Sequence, residues 1–223
     1  DSDDSWFPQR LEIIKKFITK KINHKVFCTD EIILNENNKT HLWRYGPSKN
    51  NFYQYLLENG NCLSTSASII EKNFLIKNKI FYEEKKSFIT SEDYDFFLNI
   101  ANKTNKFYFI NKPLGTHVLH GKSESSNFRK HRNSLYSVLR HHIFKKQKYN
   151  KDKEDIWEKV NLRINIKDCL IKLINKKNKL GNFVILFKYF KKMPINSLSI
   201  IVVLLFKSLV NRVFFYYYII SKN

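Results

Sequence analysis

Apolar positions recur with two periods along this chain, and the change from one to the other marks out its elements. After Pro8, which suits the first turn of a helix, Leu11, Ile14, Ile18 and Ile22 follow a helical repeat. Lys25 to Leu34 (KVFCTDEIIL) reads as a strand or strand pair, residues 35–39 as a polar turn, and Thr40 to Tyr45 as the returning strand. Gly46-Pro47-Ser48 breaks the chain ahead of a short helix over 51–59, with Phe52, Tyr55 and Leu56 on one side. Residues 60–70 mix small hydroxyl side chains with apolar ones and end as a buried-looking strand. Tyr94, Phe97, Leu98 and Ala101 then obey the i, i+3, i+4, i+7 rule of an amphipathic helix, capped by Thr90 or Ser91, and Asp95 falls off that stripe toward solvent.

Phe107 to Ile110 predicts a strand, Asn111 to Gly115 a turn, and Thr116 to His120 a further strand in which His117 and His120 face opposite sides. The remainder is helical in pattern over 126–148, 156–176 and 180–192, where Pro194 closes it. Leu198 to Phe206 is an apolar run of nine residues holding one Ser, and Lys207 and Arg212 interrupt before Val213 to Ile220. A bilayer span needs about twenty such residues, so the tail is expected either at a membrane interface or on the protein's own core.

The chain has 223 residues, 43% hydrophobic and 15% aromatic, which excludes a disordered segment and allows one main domain with a sizeable core. Charge changes the picture further along. Residues 1–121 hold 17 Lys+Arg against 14 Asp+Glu, and residues 122–223 hold 23 against 6. A field of that sign calls for nucleic acid, an anionic membrane surface or an acidic substrate. Cys28, Cys62 and Cys169 are widely spaced and odd in number, which fits a reducing compartment and neither a disulfide framework nor a zinc site. With neither an initiator Met nor a signal peptide, position 1 is read as lying inside a longer protein.

Two carboxylate clusters carry the candidate chemistry. Asp1, Asp3 and Asp4 stand just ahead of the first helix; in an extended segment Asp1 and Asp3 point to one side and can share a cation, while Asp4 points away. The same three residues also fit a solvated acidic end. Glu92 and Asp93 open the helix that follows Ser91, where they complement its dipole, and Asp93 flanks the buried stripe.

The string DSDDSWFPQRLE resembles the Asp-x-Asp segment of family 2 glycosyltransferases of the GT-A fold, and EDYDFFLNIA is similar to the acceptor-site helix of that family. Gly60-Asn61 before a Ser/Thr-rich stretch, and His120 before Ser123 and Ser125, continue the likeness in order, whereas Val118 stands where the family has an arginine. The resemblance implies an α/β fold: the C-terminal portion of a Rossmann-like, mixed-sheet GT-A domain over residues 1–125, then a basic helical extension over 126–223. It implies an inverting, metal-dependent transfer of a sugar from a nucleotide-sugar to a hydroxyl of a glycan or lipid-linked acceptor, in surface polysaccharide or glycan biosynthesis. Asp93 is then the general base and Glu92 its orienting partner. Asp3, Asp1 and His120 hold Mg2+ or Mn2+, and Asp1, Asp4, Trp6 and Asn61 bind substrate. The base-recognising strands of the family have no counterpart in residues 1–223, so this stretch alone is expected to bind nucleotide weakly and to be inactive. A cytoplasmic protein, peripheral at the inner face of the membrane, is the expected setting. The alternative is a basic nucleic-acid-binding module without catalysis, with nucleic acid the less favoured partner.

Overall fold

The computed structural model describes residues 4–35, 40–119, 127–149, 151–174 and 179–202. Asp1, Asp3, His120, Ser123, Ser125 and the tail beyond residue 202 lie outside the described residues. The chain divides into two compact units, Asp1–Lys148 and Tyr149–Asn223. The helix that begins at Phe128 falls within the first of these units.

The first unit is α/β with a mixed sheet. Its centre is β2 (Val26–Asn35), paired in parallel with β5 (Phe107–Leu119). On the opposite edge of β2, β4 (Ser68–Ile70) and β3 (Thr40–Trp43) run antiparallel to its first and second halves. The short β1 (Ser5–Trp6) lies antiparallel on the outside of β5, with Ser5 opposite Thr116 and Trp6 opposite Gly115.

Alternation along β5 feeds two layers. Tyr108 and Ile110 join Phe27, Leu114 and the α1 (Arg10–Lys20) residues Ile13, Ile14 and Phe17 in one core. Phe107 and Phe109 turn the other way onto Phe52 of α2 (Phe52–Asn59), with ring centroids 4.4 and 5.9 Å away. This first part of β5, Phe107 to Ile110, is packed on both faces and reads as a continuous apolar run. Beyond α3 (Lys72–Asn78) comes α4 (Glu92–Ala101), which is buried almost all round and tied to α2 by a bond from the Tyr94 hydroxyl to the Leu56 carbonyl. It is followed by β5 and then by α5 (Phe128–His141), which continues as a π-helical turn, His142–Lys146.

Three sequence expectations are corrected. The buried stripe of α1 is Ile14 with Ile13 and Phe17, while Leu11, Ile18 and Ile22 are exposed, because Arg10 takes the buried position at the start of the helix. The turn expected at Asn111 to Gly115 is absent: β5 runs straight through it. Pro113, which has no N–H to give, sits opposite Asp30 where the β2–β5 register shifts. Asp95, expected in solvent, is 1% exposed, with its carboxylate accepting from His142 Nε2 at 2.8 Å and from the Asn99 amide at 2.8 Å. Tyr53 in turn places its hydroxyl 3.0 Å from His142 Nδ1.

The second unit is built on α6 (Lys153–Ile174) and α7 (Lys179–Lys192), followed by a helical segment over 194–202. Leu162, Ile166 and Cys169 form a one-sided stripe on α6 that packs against Leu186, with Leu173, Tyr189, Met193, Ile200 and Ile201 around it. α7 ends at Lys192, just ahead of Pro194 as expected, and Pro194 opens the next helical segment, as its fixed φ and missing N–H allow at a first turn. Among the described residues no helix is long and apolar enough to cross a membrane.

Candidate functional site

Pairing of β1 with β5 fixes the first half of the site. Gly115 admits the close approach, since a Cβ there would stand 2.7 Å from the Ser5 carbonyl oxygen and 3.2 Å from Arg10 Nη1. One step before the paired residues, the Asp4 carboxylate then meets His117 Nδ1 at 3.0 Å and the Val118 N–H at 3.0 Å, and it also accepts from the Ser66 hydroxyl. Its side chain is 3% exposed. Burial pushes the Asp4 carboxyl upward, but the bonds from Ser66, His117 and Val118, with the attraction of His117, outweigh it and hold the group below its ordinary value.

Beside it, the Trp6 indole N–H donates to the Ser66 carbonyl at 3.1 Å, and Arg10 Nη2 donates to the same oxygen at 2.8 Å. The Arg10 guanidinium lies 4.5 Å from the centre of the Trp6 ring. Burial lowers the Arg10 pKa, and the nearby Glu31 opposes that. Asp4, Trp6, Thr65 and Ser66 line an open cleft of about 470 Å3.

The second half is the start of α4. Thr90 takes a left-handed backbone (φ +81°), and Ser91 occupies the cap position without a side-chain capping bond. Thus Glu92 and Asp93 enter the first turn as expected, and the capping role foreseen for Thr90 or Ser91 is unfilled. Asp93 is half-buried, and the Asn61 side-chain amide donates to its Oδ2 over 3.4 Å. Burial raises the Asp93 pKa and the charge of Glu92 adds to this, against the Tyr94 N–H and the attraction of His131. His131 Nδ1 stands 2.8 Å from the Thr90 carbonyl oxygen, so α5 supports the turn that presents Asp93. Glu92 Oε2 is buried and makes no hydrogen bond. Tyr82, stacked on Phe96 at 4.3 Å, completes this end; burial pushes its phenol up, the Thr65 hydroxyl opposes this, and the charges of Asp93 and Glu92 add to it.

The two halves are joined by residues 61–66. Asn61 reaches Asp93, Thr65 faces both the cleft and Tyr82, and Ser66 holds Asp4, Trp6 and Arg10. Asn61 is set for this by its own Oδ1, which accepts the Leu63 N–H at 3.0 Å.

Of the residues singled out from sequence, Asp4 and Trp6 therefore meet at one end, and Asn61, Glu92 and Asp93 gather at the other. Asp1, Asp3 and His120 lie outside the described residues. Among the described residues no group of three His, Cys, Asp or Glu stands ready for a metal. Sequence reasoning missed Thr65, Ser66, Arg10, Tyr82, His117 and His131. His117 was legible as one of two histidines three apart, and what selects it is the register of β1, which is only two residues long.

No protein-family model matches the chain, and no curated protein matches it either.

Proposed function

We propose that this chain carries the acceptor side and the metal-flanking strand of an inverting, metal-dependent glycosyltransferase of the family 2, GT-A type. The observation that carries this reading is Asp93: a half-buried carboxylate of raised proton affinity, touched by the Asn61 amide. The segment that supplies Asn61 also fixes Asp4 at the cleft. A carboxylate whose pKa is moved toward neutrality is suited to taking the proton of an acceptor hydroxyl as its oxygen attacks the anomeric carbon. Asn61 holds Asp93 by one weak bond, so the carboxylate can exchange that partner for the acceptor hydroxyl.

The carboxylates of Asp1 and Asp3 are the hard oxygen donors that Mg2+ and Mn2+ take, and they would hold such a cation with His120. Asp4 does not join them, because Ser66, His117 and Val118 already engage it. A bound cation would neutralise the departing nucleotide diphosphate. Trp6, 54% exposed beside the cleft, offers a flat apolar face to the sugar nucleotide.

The test is nucleotide diphosphate release from a panel of nucleotide-sugars with Mn2+, using the complete protein that contains this chain, with and without hydroxyl acceptors. Asp93→Asn should lower acceptor-dependent turnover by about a thousandfold while leaving donor binding unchanged. Transfer retained in that variant refutes the assignment of the base.

A further inference from the structure

We propose that the outer face of α7, continued by residues 194–202, seats this chain on an anionic lipid bilayer. A helix on a protein surface ordinarily has one apolar stripe, and α7 has two. Leu186 and Tyr189 face α6 and belong to the core of the second unit. On the opposite side, at helical spacing, Leu180 (80% exposed), Phe183, Val184 and Phe187 (72%) lie open. The segment after Pro194 repeats the division: Ile200 and Ile201 join the core, while Ile195 (82% exposed), Leu198 and Val202 do not. Exposed apolar side chains repeated at helical spacing over two successive helical segments mark an interaction surface rather than scattered surface residues.

Charge identifies the occupant. Residues 169–223 contain ten Lys+Arg and no Asp or Glu. Lys188 stands at the flank of the outer stripe and Lys191 at its end, so cations rim an apolar centre. A second copy of the chain would bring like charge against like. Nucleic acid would use the lysines but has no place for Leu180, Val184 and Ile195. Acyl chains and anionic head groups use both.

The experiment is co-sedimentation of the purified chain with vesicles of phosphatidylcholine alone, or with about one-third phosphatidylserine, at near-physiological salt. Binding should require phosphatidylserine and weaken as salt rises. The double variant Phe183→Glu, Phe187→Glu should lose at least about tenfold in affinity. Lys188→Gln and Lys191→Gln should each lose roughly fivefold. Leu11→Glu, on exposed α1 surface, should bind like the parent. Circular dichroism checks that each variant is folded, and the two lysine variants decide the matter if the phenylalanine pair is not. Undiminished vesicle binding by the folded variants overturns the proposal. So does a fall in oligomeric mass on loss of the phenylalanines without a change in vesicle binding, which assigns the face to a second copy. Tight RNA binding abolished by the same substitutions, with no vesicle binding by the parent, overturns it as well.

Discussion

Asp4 and Asp93 are joined through residues 61–66, and their surroundings move them in opposite directions. Both are penalised by burial. Asp4 answers that with a hydroxyl, an imidazole and a backbone N–H, whereas for Asp93 the Tyr94 N–H, the attraction of His131 and a long contact from Asn61 do not offset burial and the repulsion of Glu92. Burial raises a carboxyl and donors lower it, and in Asp4 the donors prevail whereas in Asp93 burial does. Two further carboxylates follow the same division. Asp95, supplied by His142 and Asn99, is held below its ordinary value although burial acts against it. Asp30, with the Tyr45 N–H at 3.3 Å and Arg44 no nearer than 3.7 Å, is pushed up by burial to about 6. Of these two raised carboxyls, Asp30 is enclosed at 2% exposure in the sheet, whereas Asp93 is half-buried.

The comparison is broken most severely by removing donors. His142→Ala strips the buried Asp95 of its strongest partner and should cost about 3 kcal/mol, read as a shift in the urea midpoint. The pH dependence of stability follows from the same pair. The folded protein holds His142 below its ordinary 6.5, mainly by burial, and Asp95 below its ordinary 3.8. The unfolded chain therefore takes up protons that the folded one refuses. The contribution of this pair should be complete above about pH 6.5, decline as the pH falls through that value, and decline again below about pH 4 as Asp95 is protonated. Asp30, pushed up to about 6, acts in the opposite sense over the same interval, so the pair's part is read as the difference between the parent and His142→Ala, and a difference that is flat from pH 8 to 5 would contradict it.

Ser66→Ala is the milder break, since the bonds from His117 and Val118 to Asp4 remain and the Ser66 carbonyl still receives Trp6 and Arg10. It should cost about 1.5 kcal/mol in chemical denaturation and raise the Asp4 pKa. An unchanged Asp4 titration in that variant would show that Ser66 is not the donor that matters.

What the sequence disclosed was local, and what it withheld depended on partners far along the chain. The helix carrying Asp93 was legible because its apolar spacing is regular within one short segment. The fate of Asp95 was not, because its partner His142 is 47 residues away and burial comes from packing between α2, α4 and the π-helical turn. The α1 stripe was read out of phase because a buried arginine, Arg10, holds a place that the pattern reserves for apolar residues. Ser66 looked like one more small hydroxyl residue of the 60–70 stretch. Its role comes from a cleft that exists only once β1 and β5 are paired.

The most direct test of the opposed carboxylates is a carboxyl carbon-13 NMR titration of the chain, with Asp4 and Asp93 assigned through Asp4→Asn and Asp93→Asn. Asp93 is predicted to titrate above the ordinary aspartate value and Asp4 below it. A midpoint for Asp93 at or below that of Asp4 would contradict the division of labour on which the proposed base rests.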